Sequence, residues 1–228
     1  MQELPKTWNI VHAGTPGCKS YKGTFDVTPK NKVLTGAWKI QHENGHIEHY
    51  SGIGLSINDY MIFSRTKEKV GETGNNISAS IVHYVPIGQT GSLSALWIEP
   101  NIYYNVGSGI ALGGKAGVLE GNYRVTYFDP GGINPVELDI QIFLSGKERN
   151  IYRLEWYRDG EHRLTGTGIE IQGELAVAYD RPGTESQMVV YSIHRENARS
   201  FLNGHYASTE SDVPGTELLL PVNKDNLF

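Results

Sequence analysis

The feature that most constrains the fold of this chain is an internal repeat, which divides its 228 residues into two halves of similar pattern. The segment Ser-Gly-Ile-Gly-Leu-Ser-Ile at 51–57 corresponds to Thr-Gly-Thr-Gly-Ile-Glu-Ile at 165–171. Further matches follow in the same order, and the spacing between them changes mainly where turns are expected. We therefore assign repeat 1 to residues 5–118 and repeat 2 to residues 119–228.

Each repeat has the pattern of several short β-strands joined by turns. The chain contains 27 Gly, 13 Tyr and 4 Trp, and the apolar residues alternate with polar ones between turn signals such as Asn44-Gly45 and Asp159-Gly160. Parallel pairing would need long crossovers, which the pattern lacks. We predict an all-β fold of antiparallel up-and-down meanders that close into barrels, since closure removes exposed strand edges. Two small barrels packed together, one for each repeat, are preferred over one larger shared barrel.

Composition excludes several classes of function. A net charge of −5 argues against nucleic acid as a partner, and no run of apolar residues is long enough for a transmembrane helix. The start of the chain lacks the apolar segment of a secretory signal, and Cys18 as the one cysteine excludes an intrachain disulfide. We therefore expect a cytoplasmic protein whose partner is a small-molecule ligand, with no cofactor indicated.

Three short motifs resemble those of the lipocalin and avidin group, the calycin-like barrels. They are Gly36-Ala-Trp38, the Gly-Ile-Gly of 52–54 and the Leu-Ala-Val-Ala-Tyr of 175–179. The likeness runs along both repeats. In that group one small apolar ligand lies in the mouth of the barrel, and the resemblance implies the same here.

The hairpins that follow the two matching tryptophans predict which side chains face inward. A two-residue Asn44-Gly45 turn would pair Trp38 with Ser51, and a Gly160-Glu161 turn would pair Trp156 with Thr165. Alternation then predicts an apolar inner face in each repeat. That face would comprise Leu34, Trp38, Ile40, Ile53, Leu55 and Ile57 in repeat 1, and Tyr152, Leu154, Trp156, Thr167, Ile169 and Ile171 in repeat 2.

Towards the hairpin tips this predicted inner face becomes polar, as the mouth of a ligand site would. We predict ligand contacts from Trp38, Ile40, His42 and His49 in repeat 1, and from Trp156, Arg158 and Arg163 in repeat 2. The arginine pair would favour a carboxylate or another anion, and the histidines would gain charge as pH falls. Solvated hairpin tips with long polar side chains are the structural alternative.

The segment His42-Glu-Asn-Gly-His46 matches the zinc-protease pattern, but that chemistry needs a helix. Its central Asn-Gly favours a hairpin, in which His42 and His46 would point to opposite faces. A metal held by His42 and His49, as diagonal neighbours on one face, is a further alternative with an incomplete ligand set.

Three kinds of function remain open from the residues alone. The preferred one is a protein that binds a small, partly apolar ligand. The second is an isomerase, cyclase or lyase, with His49, Tyr60 or Tyr179 as acid or base. The third is an interaction module anchored by Tyr103-Tyr104 near Trp97. Residues 66–80 are predicted to form a loop that could cover the first barrel, and 107–113 a strand.

Overall fold

The computed structural model describes residues 4–14, 20–69, 79–101, 105–145, 150–196, 199–208 and 211–222. Within these ranges the chain consists of β-strands, turns and connecting segments, without helix, so the prediction of an all-β fold is confirmed. Accordingly, the described residues include no helix with the length and apolar character that a membrane span requires.

Sixteen strands lie in the described ranges, eight in each repeat. In repeat 1 they are β1 (Thr7–Gly14), β2 (Tyr21–Lys30), β3 (Val33–His42), β4 (Ile47–Ile57), β5 (Tyr60–Lys67), β6 (Ser80–Pro86), β7 (Leu93–Ile98) and β8 (Gly107–Leu112). In repeat 2 they are β9 (Gly121–Phe128), β10 (Pro135–Leu144), β11 (Ile151–Arg158), β12 (Glu161–Ile171), β13 (Glu174–Asp180), β14 (Gln187–Glu196), β15 (Arg199–Ser208) and β16 (Ser211–Pro221).

The described strands form two closed antiparallel barrels, as predicted, and each barrel has eight strands. The terminal barrel, named for its use of both ends of the chain, has the order β1-β16-β15-β14-β5-β4-β3-β2. The central barrel has the order β10-β11-β12-β13-β6-β7-β8-β9 and is formed by one continuous stretch of the chain. Closure pairs every strand on both sides, so neither barrel leaves a free edge among these strands.

The barrels do not coincide with the repeats at 5–118 and 119–228. Strand β5 pairs with β14 instead of β6, and β13 pairs with β6 instead of β14. Each barrel therefore combines the first five strands of one repeat with the last three strands of the other. The assignment of one barrel to each repeat is corrected accordingly: the two copies exchange their last three strands. Local patterns are the same for either pairing, so the sequence did not distinguish them.

The two predicted hairpins form, but each register differs from prediction by one residue. In the first, residues 43–45 form the turn between β3 and β4, closed by a hydrogen bond from the His42 N–H to the His46 carbonyl, with Gly45 at φ +82°, and Trp38 pairs with Tyr50. In the second, Asp159 and Gly160 form the turn, a bulge follows, and Trp156 pairs with Leu164. Because side chains alternate, this shift reverses the faces of β4 and β12.

Glycines therefore occupy inward positions that we had assigned to isoleucines and leucines. A Cβ at Gly166 would lie 2.9 Å from Cη2 of Trp156, and one at Gly36 would lie 2.5 Å from Cη2 of Trp38. The indole rings need this space, which explains the Gly-x-Trp motif and the first glycine of each pair on β4 and β12. The second glycines, Gly54 and Gly168, are crowded by Phe63 and Leu175 instead. Both tryptophans are 1% exposed at the centre of their barrels.

The apolar residues displaced from the interior pack between the two barrels instead. Ile53, Leu55 and Ile169, predicted to face inward, lie in this contact with Ile81 and Ile151. Ile57 and Ile171 pack against the margin of this contact. Thr167 is buried but is not part of the apolar core of the central barrel. One barrel thus covers an apolar stripe on the outside of the other, which holds the two barrels together.

Candidate functional site

A groove of about 800 Å³ lies at one end of the terminal barrel. Its floor includes Val27, Leu34, Met61 and Ile193, which belong to the core of that barrel. The groove continues to the central barrel, where Leu96, Val106, Gly107 and Ser108 line it. The cavity is thus largely apolar and is shared by the two barrels. We call it the basic groove because of the charges at its rim.

The charges at the rim of the basic groove are Lys6, Lys32 and Arg195, all exposed. Among the described residues that line it, no side chain carries a carboxylate. Asp59 is nearby and holds Arg195 in an exposed ion pair of 3.0 Å. Lys32 lies in the tight β2–β3 turn beside Asn31, whose φ of +57° lets the chain reverse there. The rim therefore complements an anionic group above an apolar floor.

A second cavity, of about 300 Å³, lies in the mouth of the central barrel near the β11–β12 hairpin. We call it the aromatic pocket. Four rings line it, those of Trp97, Tyr127, Trp156 and Tyr179. The other lining residues are Glu99, Asp129, Asn134, Val136, Leu138 and Leu164.

Hydrogen bonds fix the rings of the aromatic pocket. Trp156 Nε1 donates to the Tyr127 hydroxyl at 2.9 Å, and Tyr127 in turn contacts the hydroxyl of Tyr84. Tyr179 donates to Glu99 Oε1 at 3.3 Å. Burial raises the pKa of Tyr127 and Tyr179, so both phenols stay protonated. The walls are therefore neutral aromatic groups and the charges at the mouth are acidic.

The equivalent end of the terminal barrel is filled by a buried ion pair. Arg65 Nη1 lies 2.8 Å from Glu217 Oε1, and the two residues are 2% and 1% exposed. Tyr21 and Tyr191 also donate to the Glu217 carboxylate, while Gln187 accepts from Arg65 Nε at 2.9 Å. Burial alone would lower the pKa of Arg65, but the adjacent Glu217 holds it above its usual range.

Three aromatic rings surround the Arg65 guanidinium. Its Cζ lies 5.7 Å from the ring centroid of Trp38, 5.0 Å from that of Tyr50 and 4.8 Å from that of Tyr206. At these distances the rings attract the cation through their quadrupoles. Burial and the nearby Glu217 carboxylate also raise the pKa of Tyr191, whose hydroxyl accepts from Trp38 Nε1 at 2.8 Å.

Near the β3–β4 hairpin a carboxylate that the sequence analysis missed takes the inner position. Glu48 Oε2 lies 3.0 Å from His42 Nε2 and accepts from the Tyr50 hydroxyl at 2.8 Å, while Lys67 Nζ lies 2.5 Å from its other oxygen. Burial opposes ionisation, but the hydrogen bonds from Lys67, His42 and Tyr50 outweigh it and lower the pKa of Glu48 to about 2. Glu48 was missed because the predicted register, which differs by one residue from the observed one, placed His49 on the inner face instead.

The predicted ligand-contacting residues are thus divided among different surroundings. Trp38 and Ile40 lie in the core of the terminal barrel, His42 is partly buried at its end, and Trp156 lines the aromatic pocket. His49 is exposed and pairs with Lys39, so the His42–His49 pair considered for a metal does not form.

The two predicted arginines lie at the tip of the β11–β12 hairpin. Arg158 and Arg163 are both exposed, and Arg163 forms an ion pair with Glu161 at 2.5 Å. Neither lines the basic groove or the aromatic pocket. The expectation that His42 and His46 point apart is wrong, because their rings stack with centroids 5.9 Å apart. Among the described residues, no three His, Cys, Asp or Glu side chains are arranged to hold a metal ion.

Other residues singled out from the sequence have mixed outcomes. Tyr60 packs against the contact between the barrels, and Tyr179 lies in the aromatic pocket. The predicted strand at 107–113 is β8. Most of the predicted covering loop, and Tyr103-Tyr104, lie outside the described residues. Comparison with protein-family models and with curated proteins finds no match to this chain.

Proposed function

We propose that this protein binds a small amphipathic molecule, with an apolar body in the basic groove and an anionic head at its rim. The observation that carries the proposal is the combination of a largely apolar cavity of about 800 Å³ with three cationic side chains around it. A cavity of this size is in the range of small-molecule sites. The ligand proposed here has the partly apolar, anionic character expected from the sequence. The proposed binding site is the basic groove instead of the hairpin tips.

Burial of the apolar part supplies the affinity in this proposal, at about 0.8 kcal/mol for each buried CH₂ group. The three charges supply selectivity, because Lys6, Lys32 and Arg195 are exposed and each contact is worth about 0.2–1 kcal/mol. The resemblance of the motifs to the calycin-like barrels is consistent with a ligand at a barrel end, and membership of that group is part of the proposal. A cytoplasmic location is likewise proposed, from the sequence pattern alone.

Calorimetric titration with three probes of equal chain length tests the proposal. In the basic groove, octanoate is expected to bind, octan-1-ol to bind about fivefold more weakly, and octyltrimethylammonium to bind least, each measured as the binding that the Ser56→Trp variant described below loses. The double substitution Lys32→Gln/Arg195→Gln should bring octanoate to the level of the alcohol. Lys39→Gln is the matched control, because Lys39 is exposed on β3 and does not line the groove.

A blocking variant separates the groove from other surfaces. Ser56 lines the groove from an exposed position, so Ser56→Trp is expected to fill it without disturbing the core. Octanoate and octan-1-ol should then both lose measurable binding. Absence of octanoate binding to the unaltered protein, or binding that Ser56→Trp leaves unchanged, would contradict the proposal.

A further inference from the structure

The two barrels differ at one equivalent end, and the difference identifies a second site. Strand register defines the equivalent positions: Gly52 pairs with Arg65 on β5, and the corresponding Gly166 pairs with Tyr179 on β13. Trp38 corresponds to Trp156. In the terminal barrel this end holds the Arg65 guanidinium, whereas in the central barrel it is the aromatic pocket of about 300 Å³.

The surroundings of the guanidinium are repeated in the aromatic pocket. Val82 pairs with Trp97 and the corresponding Val189 pairs with Tyr206, so Trp97 takes the place of one of the three rings around Arg65. Trp156 takes the place of a second, Tyr179 stands at the position of Arg65 itself, and Tyr127 adds a further ring. Leu164 corresponds to Tyr50, the third ring around Arg65, and is apolar but not aromatic. The pocket therefore preserves an aromatic cage and lacks the built-in cation.

A carboxylate is also present, although it belongs to the segment after β7 instead of to a strand. Glu217 corresponds to Gly109, where a Cβ would lie 2.8 Å from Cδ1 of Tyr127, so the tyrosine ring occupies that space. Glu99 replaces the acidic function, with Oε1 accepting from Tyr179 at 3.3 Å. Asp129 adds a second negative charge at the mouth, where it also accepts from the backbone N–H of Ile133 at 2.9 Å.

The aromatic rings of the pocket and the carboxylates at its mouth thus both favour a positively charged ligand. We propose that the aromatic pocket binds a small organic cation of the ammonium class, which would lie among aromatic rings as the Arg65 guanidinium does in the terminal barrel. Among the described residues that line the pocket there is no Lys, Arg or His to repel such a ligand. Aromatic faces with a nearby carboxylate favour a cation, most of all a quaternary ammonium group that is cheaply desolvated. This site is separate from the basic groove and does not depend on the function proposed for it.

The probes that test this inference are choline and its uncharged carbon isostere, 3,3-dimethylbutan-1-ol. The two have nearly the same shape, so a difference in affinity measures the effect of the charge. We expect choline to bind at least about tenfold more tightly in a calorimetric titration, with a change in tryptophan fluorescence from Trp97 and Trp156. The carboxylate 3,3-dimethylbutanoate should bind more weakly than either, when all three probes are measured in the Ser56→Trp variant so that the basic groove is blocked.

One substitution assigns the preference to the pocket. Glu99→Gln keeps an oxygen that can accept from Tyr179, so the fold should be retained while the charge is removed. It should reduce choline affinity by about tenfold and leave the alcohol unchanged. Glu137→Gln is the matched control, because Glu137 is an exposed carboxylate that pairs with Arg124 and does not line the pocket.

Each result decides the inference. Tighter binding of choline that Glu99→Gln abolishes and Glu137→Gln preserves would support it. Equal binding of choline and the alcohol, tighter binding of the carboxylate, or binding of none of the three would overturn it. Octanoate binding in the basic groove is measured separately, and neither Glu99→Gln nor loss of choline binding should affect it.

Discussion

Arg65 and Glu217 form an ion pair of 2.8 Å although they belong to different repeats. Arg65 lies on β5, the last strand that repeat 1 contributes to the terminal barrel, and Glu217 lies on β16, the last strand of repeat 2. The pair thus joins the exchanged strands across the barrel interior. It also fills the end that is open as a pocket in the central barrel.

Removal of one partner of this pair should be costly. Arg65→Met leaves the Glu217 charge buried without compensation, and we expect a loss of about 3–5 kcal/mol in the free energy of unfolding. Urea denaturation followed by tryptophan fluorescence measures it. The double variant Arg65→Met/Glu217→Gln should recover more than about 1 kcal/mol, since the amide is neutral, its oxygen can accept from one of Tyr21 and Tyr191, and its NH₂ group can donate to the hydroxyl oxygen of the other. A double variant as unstable as the single one would contradict this account.

The contacts of Glu48 with His42, Tyr50 and Lys67 should make the stability of the protein depend on pH. The pKa of Glu48 is about 2 in the folded protein against a usual 4.5, so the folded state favours the ionised form. The stabilisation is fully present above about pH 4.5 and is lost as pH falls towards about 2. Thermal unfolding of the protein and of Glu48→Gln should therefore differ most near pH 6 and converge towards pH 2. A difference that is constant across this range would exclude Glu48 as the cause.

The space beside Trp156 should tolerate no added methyl group. In Gly166→Ala the new Cβ would lie 2.8 Å from Cγ1 of Val177 and 2.9 Å from Cη2 of Trp156, so these side chains must move, at a cost of about 1–3 kcal/mol. Thermal unfolding measures this loss. The control is Gly131→Ala, where the nearest atom would be 3.5 Å away in an exposed loop, and little change is expected. Equal effects of the two substitutions would show that the contact with the indole does not matter.

Strand exchange predicts the behaviour of a single repeat. Residues 119–228 carry β9–β13 of the central barrel and β14–β16 of the terminal barrel, so alone they cannot complete either barrel as the full chain does. Because unpaired strand edges are unfavourable, we expect two copies to exchange β14–β16 and form a dimer with two closed barrels. Size-exclusion chromatography with light scattering measures the mass. A folded monomer would show that β13 can pair with β14 within one copy.

Much of the architecture followed from local patterns. The repeat, the strands, both hairpins and the inward position of Trp38, Ile40 and Trp156 were predicted, because alternation and turn signals involve neighbouring residues. The faces of β4 and β12 were not predicted correctly. A turn with one residue more or less reverses a whole strand, and so Glu48 replaced His49 on the inner side of the terminal barrel.

The candidate sites depended even more on long-range structure. Arg65 and Glu217 are each unremarkable charged residues in the sequence, and the four rings of the aromatic pocket come from four different strands. The basic groove likewise brings the start of the chain to β3, β5 and β14. Contacts between residues so far apart leave no periodic pattern in the sequence.

The sequence by itself determined that this chain makes two copies of one antiparallel meander, since strand and turn patterns are properties of short segments. Only the tertiary structure decided which copy completes which barrel. Pairing β5 with β14 or with β6 satisfies the same backbone hydrogen bonds and the same alternation. The choice depends on the packing of side chains from both repeats, including the ion pair of Arg65 with Glu217 and the apolar contact between the barrels.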